Sequence, residues 1–346
     1  MLTRIMPRCV ENALSGGRAC GAMMAWTQIV SFALIFSDAY IRSAEIWQTS
    51  LFLPKHPEEI IVLFRARILL TYVLVHIMPA SVLDTPAFRF FFVFLFSIGC
   101  FALMKIWVRR LSVDGNVAIM TQATFMLVML LHYSASRVLN AFYVYDIPSI
   151  FFYLLSFLLL TDRRPAIFGL GFAAVFVFAA NRETIVVVAF HAAAFILADK
   201  KQAADRKERM LRLAALAVAP VGIFLVRVAL LHALDGHMAD GAGLYSDGTL
   251  RFWANVKSLF HEPPKALQLV LLGCGLLIWW PFTVFRMRTI EKYLIAASAL
   301  PLVLLLLAGN LVELRIYGEL IPLMALLLAY FLQGVGKDAG DARAAP

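Results

Sequence analysis

The side chains best placed to do chemistry are charged residues that border long apolar runs. Asp38 closes the first such run in Ser37-Asp38-Ala39-Tyr40, and Asp146 opens a later one in Tyr145-Asp146-Ile147-Pro148-Ser149. A carboxylate within hydrogen-bond reach of a hydroxyl can take its proton, so both are candidate catalytic groups. Each also has a plainer reading. Pro148 marks a helix start whose exposed amides Asp146 can cap, and Asp38 can be a solvated residue at a helix end. Arg65, Arg67, Arg182, Glu183, Glu313, Arg315 and Glu319 are candidate substrate-binding residues. A guanidinium presents a planar fork of N–H donors that suits phosphate oxygens. Arg182 in Asn181-Arg182-Glu183-Thr184 can hold such an anion, or pair locally with Glu183. In Glu313-Leu-Arg315-Ile-Tyr317-Gly-Glu319, helical spacing sets Glu313 over Tyr317 and Arg315 over Glu319, which fits a structural network as well as a binding surface.

Other chemistries lack their residues. There is no phosphate-binding glycine loop, no G-x-S-x-G elbow and no H-E-x-x-H pair. Cys9, Cys20, Cys100 and Cys274 have no metal-ligand spacing, so neither a disulfide framework nor a zinc site is expected. His76, His132, His191 and His232 lie on apolar runs and read as core residues. A divalent metal held by the acids stays open, and no other cofactor is indicated.

The elements that must position these groups are helices in lipid. Hydrophobic residues make up 62% of the chain and charged ones 15%, against roughly 45–50% and about 25% in a soluble domain. No aqueous core needs that much apolar side chain. The expected class is all-α, a polytopic transmembrane helical bundle whose first partner is the lipid bilayer. The net charge of +9 sits in short clusters between apolar runs, so it reads as membrane topology and not as a nucleic-acid surface.

Crossing the hydrocarbon takes roughly 20 apolar residues. Suitable runs are Ala22 to Ser37, Phe88 to Val108, Val117 to Ala135, Ile147 to Leu160, Ala166 to Ala180, Ile185 to Ala198, Leu211 to Leu234, Leu267 to Phe285, Leu294 to Val312 and Ile321 to Val335, giving about ten spans. Basic clusters mark the cytoplasmic side, at Arg4 to Arg18, Lys105 to Arg110, Arg163 and Arg164, Lys200 to Arg212, Arg286 to Lys292 and Lys337 to Arg343. The alternation works if 68–83 is an interfacial or re-entrant helix within an external loop 38–87. One helix over 166–198 would reach about 50 Å, too long for an upright span, so a hairpin with its tip at Arg182 is expected. Residues 1–335 form a single transmembrane domain, with a second external loop at 235–266. The stretch 336–346 is a disordered cytoplasmic tail, both ends of the chain are cytoplasmic, and the first helix is retained rather than cleaved as a signal.

The order of these features, Asp38-Ala-Tyr40 after the first span, Tyr145-Asp146-Ile-Pro-Ser-Ile-Phe-Phe opening a later one and the tip Asn181-Arg182-Glu183-Thr184, resembles the GT-C class of polyprenyl-phosphate-sugar-dependent glycosyltransferases. The bacterial branch of protein mannosyltransferases and aminoarabinose transferases is the nearest in layout. The resemblance covers the first 200 residues or so. The usual acidic pair is here Asp-Ala, and the soluble external domain common in that class is absent. The resemblance implies a bacterial inner-membrane enzyme of the cell envelope, taking a sugar from a polyprenyl-phosphate-linked donor to an extracytoplasmic acceptor. Asp38 would be the general base and an arginine would hold the phosphate. Two other classes fit the same sequence: a transporter or flippase of a lipid-linked or anionic substrate, for which Arg227 deep in its run speaks, and a non-catalytic membrane subunit.

Overall fold

The computed structural model describes residues 18–45, 69–70, 74, 77–83, 85–113, 115–134, 145–199, 206–235, 253, 256–257, 283–285, 287–308 and 314–344. Every regular element among them is helical. In chain order these are α1 (Arg18–Glu45), the short α2 (Ala80–Leu83), α3 (Pro86–Arg110), α4 (Gly115–Tyr133), α5 (Asp146–Leu160), α6 (Pro165–Ala179), α7 (Val186–Ala198), α8 (Arg206–Asp235), α9 (Thr289–Ala308) and α10 (Ile321–Ala344). Two 3-10 helices, Glu183–Ile185 and Leu314–Leu320, precede α7 and α10.

Local chemistry explains the starts. Thr85 caps α3, its hydroxyl accepting from the Phe88 amide at 3.2 Å, and Pro86 takes the first helical position. Pro165 does the same for α6. Met23–Ser43 within α1, Pro86–Arg110, Gly115–Tyr133 and Arg206–Leu230 are long and apolar enough to cross a membrane. Their outward residues include Phe91, Leu95, Ile119, Leu127, Val218, Val221 and Phe224, side chains that only an apolar solvent makes comfortable. By contrast α5, α6 and α7 are apolar but short. A 15-residue helix spans about 22 Å, less than the roughly 30 Å of hydrocarbon, because polar breaks at 161–164 and 180–185 cut these runs off.

α5 is the hub. It is buried on nearly every side and packs on α3, α6 and α7, while α4 packs on α10, α1 on α3, and α7 on α8 and α9. At Gly171 of α6 a Cβ atom would lie 2.6 Å from Leu159 Cβ and 3.0 Å from the Leu160 amide nitrogen. The missing side chain lets α6 lie against the α5 backbone, the usual way helices associate where water does not drive them together.

Basic residues crowd one end of the bundle and serve there as helix caps. Arg110 donates to the Thr161 carbonyl at 2.9 Å, closing α5, and Arg212 donates to the Asp162 and Arg163 carbonyls of the turn that follows. Arg288 donates to the Leu111 and Ser112 carbonyls, closing α3. Cations suit helix C-termini, where carbonyls lack intrahelical partners.

Several expectations change. α1 does not stop near Ser37; it runs to Glu45, with Asp38 and Arg42 paired one turn apart along it. The break at 180–185 is present, but α6 packs mainly on α5 and α7 mainly on α9 and α8, and the two do not form a close hairpin. α10 continues to Ala344 through most of the expected tail, where alanines favour helix and proline comes only at Pro346. Of 68–83, the described residues include the four-residue α2, and the Leu69 amide donates to the Ala180 carbonyl at 3.1 Å. Most of 235–266 and of Leu267 to Phe285 lies outside the described residues.

Candidate functional site

At the end opposite the basic caps, three segments bring charged side chains together under cover. α5 starts there, and the N-cap position belongs to Tyr145. Asp146 is therefore one place inside the helix, so its carboxylate gains from the helix dipole without occupying the cap. The Ser149 hydroxyl donates to the Asp146 carbonyl at 2.7 Å.

α6 ends in a turn in which the Asn181 and Arg182 amides both donate to the Phe178 carbonyl, at 2.9 and 3.1 Å. The Asn181 side chain donates across to the Tyr145 carbonyl at 3.2 Å, locking the turn to the start of α5. Arg182 thereby points inward. Its Nη1 lies 3.6 Å from Asp146 Oδ1, and its Nε lies 3.9 Å from Glu319 Oε1. The Thr184 hydroxyl donates to the same Glu319 oxygen, which fixes the 3-10 helix Leu314–Leu320 against the turn. Asp146 and Glu319 are each 1% exposed and Arg182 3%. Charges so covered persist only when paired, and this geometry pairs one guanidinium with two carboxylates.

Aromatic side chains close in around the group. Tyr133 at the end of α4 meets Tyr40 of α1 edge to face at 5.8 Å, and its hydroxyl lies in the electrostatic field of Asp146, Arg182, Glu319 and Tyr40. Tyr317 is also buried. Gly318 is the reason the Tyr133 hydroxyl fits: a Cβ there would stand 2.6 Å from it, and 3.6 Å from both Arg182 Nη1 and Ser149 Oγ.

Of the residues expected at a site, Asp146, Arg182 and Glu319 are brought together. Asp38 is not part of the buried group. It shares that end of the bundle through its neighbour Tyr40, but its side chain is half exposed and accepts from Arg42 Nε at 2.8 Å. Arg65, Arg67 and Glu313 lie outside the described residues, as do the side chains of Glu183 and Arg315. Among the described residues no three His, Cys, Asp or Glu side chains gather as a metal site. Tyr133, Asn181, Thr184 and Gly318 join the site without having been singled out as chemical groups. For Asn181 and Thr184 a signal existed, since they flank Arg182 in the same motif; for Tyr133 and Gly318 there was none.

A second polar chain runs inside the bundle. Tyr153 of α5 hydrogen-bonds His191 Nδ1 of α7 at 2.6 Å, and His191 Nε2 hydrogen-bonds Ser298 of α9 at 2.8 Å. The Ser298 hydroxyl is given to the Leu294 carbonyl at 3.0 Å, so His191 donates from Nε2 and accepts at Nδ1. The histidine is a core residue satisfied on both nitrogens. Arg227 lies on the buried face of α8.

No family model, no curated protein and no solved structure matches this chain.

Proposed function

We propose that the chain is a membrane glycosyltransferase of the GT-C type, moving a sugar from a polyprenyl-phosphate-linked donor to an extracytoplasmic acceptor. The observation that carries this reading is the convergence of Asp146, Arg182 and Glu319 at one end of an apolar bundle, with Asp38 at that same end and the basic caps at the other. In this reading the basic end faces the cytoplasm of a bacterial inner membrane, both termini lie on that side, and the chain crosses about ten times. The interfacial helix assigned to 68–83 belongs to the outer side in this reading, in keeping with the bond from the Leu69 amide to the Ala180 carbonyl.

The reaction asks for two things. A carboxylate must take the proton of the attacking hydroxyl as the new bond forms at the anomeric carbon. A fixed cation must offset the charge on the phosphate oxygen as its bond to that carbon breaks and polyprenyl phosphate departs. Arg182, held by Asp146, Glu319 and the turn, is the cation. Asp38, reachable by an acceptor and kept beside the Arg42 guanidinium, is the base, with Asp146 the second catalytic carboxylate. Arg65, Arg67, Glu183, Glu313 and Arg315 are the further residues assigned to the substrate.

Lipids extracted from the purified protein test this by mass spectrometry. Wild type is expected to carry polyprenyl phosphate or its glycosylated form, and Arg182→Ala to lose it. Wild-type protein free of any polyprenyl phosphate would end the reading. A second reading, a transporter or flippase, is favoured by the Tyr153–His191–Ser298 chain and Arg227, polar groups at membrane depth that such proteins use. Movement of a lipid-linked substrate across vesicles without sugar transfer would select it.

A further inference from the structure

The corner of the bundle where α5 turns into α6 carries more positive charge than its own carboxylates balance. Residues 162–164 and the first two turns of α8, 206–212, hold six cations against two carboxylates. They share one corner because Arg212 donates to the Asp162 and Arg163 carbonyls and lies over the Phe168 ring of α6 at 4.9 Å. Both carboxylates are engaged. Asp162 meets Arg164 at 3.0 Å and Arg110 at 3.6 Å, and Glu208 pairs with Arg212. Arg209 turns to the Leu197 carbonyl near the end of α7. Arg163 and Arg206 have no such duty. Both are exposed, and among the described residues neither guanidinium makes a hydrogen bond or an ion pair.

What lies beside them decides the occupant. α8 exposes Met210 and Leu211 directly after these charges and Val218 two turns on, and α6 exposes Leu170 and Val177. A free anion or a nucleic acid would use the cations and leave those apolar side chains in water. A phospholipid uses both, with phosphodiester oxygens on the guanidinium forks and acyl chains along the helices. α6 is 15 residues long, about 22 Å, against roughly 30 Å of hydrocarbon, so headgroups beside it are drawn inward toward Arg163. A zwitterionic headgroup brings its own cation, whereas an anionic one supplies the missing charge.

We propose that the α6–α8 corner binds an anionic phospholipid, its phosphodiester held by Arg163 and Arg206. This rests on the reading of the bundle as membrane-spanning and is independent of sugar transfer.

The full chain in detergent, melted with added phosphatidylglycerol, phosphatidylcholine or inorganic phosphate, tests it. Wild type is expected to be stabilised by mass action, by phosphatidylglycerol at lower concentration than phosphatidylcholine, and not by inorganic phosphate at matched ionic strength. Arg163→Gln with Arg206→Gln is expected to melt as wild type does without lipid, since neither side chain has a partner in the fold. It should need about thirtyfold more phosphatidylglycerol for the same shift, roughly fivefold for each cation. Arg109→Gln with Lys292→Gln removes the same charge from exposed positions at the same end, on α3 and α9, and should keep the wild-type response. Equal responses to the two lipids would mean that headgroup charge is not read. Equal losses in the two double variants would make the effect a diffuse field, and an inorganic phosphate shift matching the phosphatidylglycerol shift would make the site one for free anions; each result overturns the proposal. Should the first double variant melt lower without lipid, phosphatidylglycerol co-purifying with the folded protein is counted by mass spectrometry, and retention at the wild-type level refutes the site. A chain that stays monodisperse without detergent would remove the membrane itself, a failure distinct from that of the corner.

Discussion

Arg182 stands 3.6 Å from Asp146, so a residue in the turn after α6 and one at the start of α5 share a single buried charge balance, with Glu319 on the far side of the guanidinium. Removing the cation strands two covered carboxylates. Arg182→Ala is expected to cost about 3–5 kcal/mol of stability, seen as a large fall in melting temperature in detergent. Combined with Asp146→Asn it should cost less than the sum of the two, by about 1–3 kcal/mol. Additive losses would show that the two side chains do not act on each other.

How much of this was legible in the sequence depends on how far apart the partners are. Helix limits were readable to within a few residues where proline or a charge stood beside the apolar run, as for Phe88 to Val108 against Pro86–Arg110. Charge at run ends likewise pointed to Asp146 and Arg182. Spacing rules failed once partners came from different segments. They paired Arg315 with Glu319, whereas the carboxylate of Glu319 meets Thr184 and Arg182. They also ended α1 at Asp38, where a pair with Arg42 one turn on lets the helix continue. The fit of Tyr133 over Gly318 leaves no trace in composition or periodicity, because it arises only when α4 meets the 3-10 helix before α10.

The close approach at Gly318 makes a compensation experiment possible. Gly318→Ala places a methyl 2.6 Å from the Tyr133 hydroxyl and should cost about 1–3 kcal/mol through overpacking. In a Tyr133→Phe background the oxygen is gone, and the same alanine should cost clearly less. Unfolding midpoints of the two singles and the double decide it; equal costs in both backgrounds would mean that the clash is relieved elsewhere.

Asp162, in the polar turn between α5 and α6, is the group with a readable pH signature. The side-chain hydrogen bond from Arg164 lowers its pKa most, the Arg164 amide and the Arg110 charge add to that against a burial effect of opposite sign, and the result is about 2 from a usual 3.8. A carboxylate depressed on folding stabilises the protein above its unfolded pKa and loses that contribution as pH falls through the folded value. Asp162→Asn should therefore cost about 0.5–1 kcal/mol at pH 7, given how exposed Arg164 is. The gap should shrink below about pH 4 and be nearly gone by about pH 2. Melting curves of the pair at pH 7 and pH 3 check this, and a gap that widens on acidification would contradict it.

Ser112 carries the one positive φ at a non-glycine residue among those described, 53°, and its surroundings explain why. α3 ends at Leu111, the Ser112 amide turns back to the Arg109 carbonyl at 2.9 Å, and the Val113 amide reaches the Val108 carbonyl at 3.4 Å. That pair of bonds is the Schellman ending, which puts the residue after the cap in the left-handed region, where glycine is the usual occupant. Serine there bears the Cβ clash of that region, roughly 1–2 kcal/mol, partly offset by the greater freedom glycine has when unfolded. Ser112→Gly keeps the carbonyl that Arg288 grips. It is expected to stabilise the protein by about 0.5–1 kcal/mol, raising the melting temperature in detergent. Ser112→Val, whose branched side chain tolerates the left-handed region worse, should lower it. A Ser112→Gly protein that melts below wild type would mean that the serine side chain contributes more to this turn than its backbone strain removes.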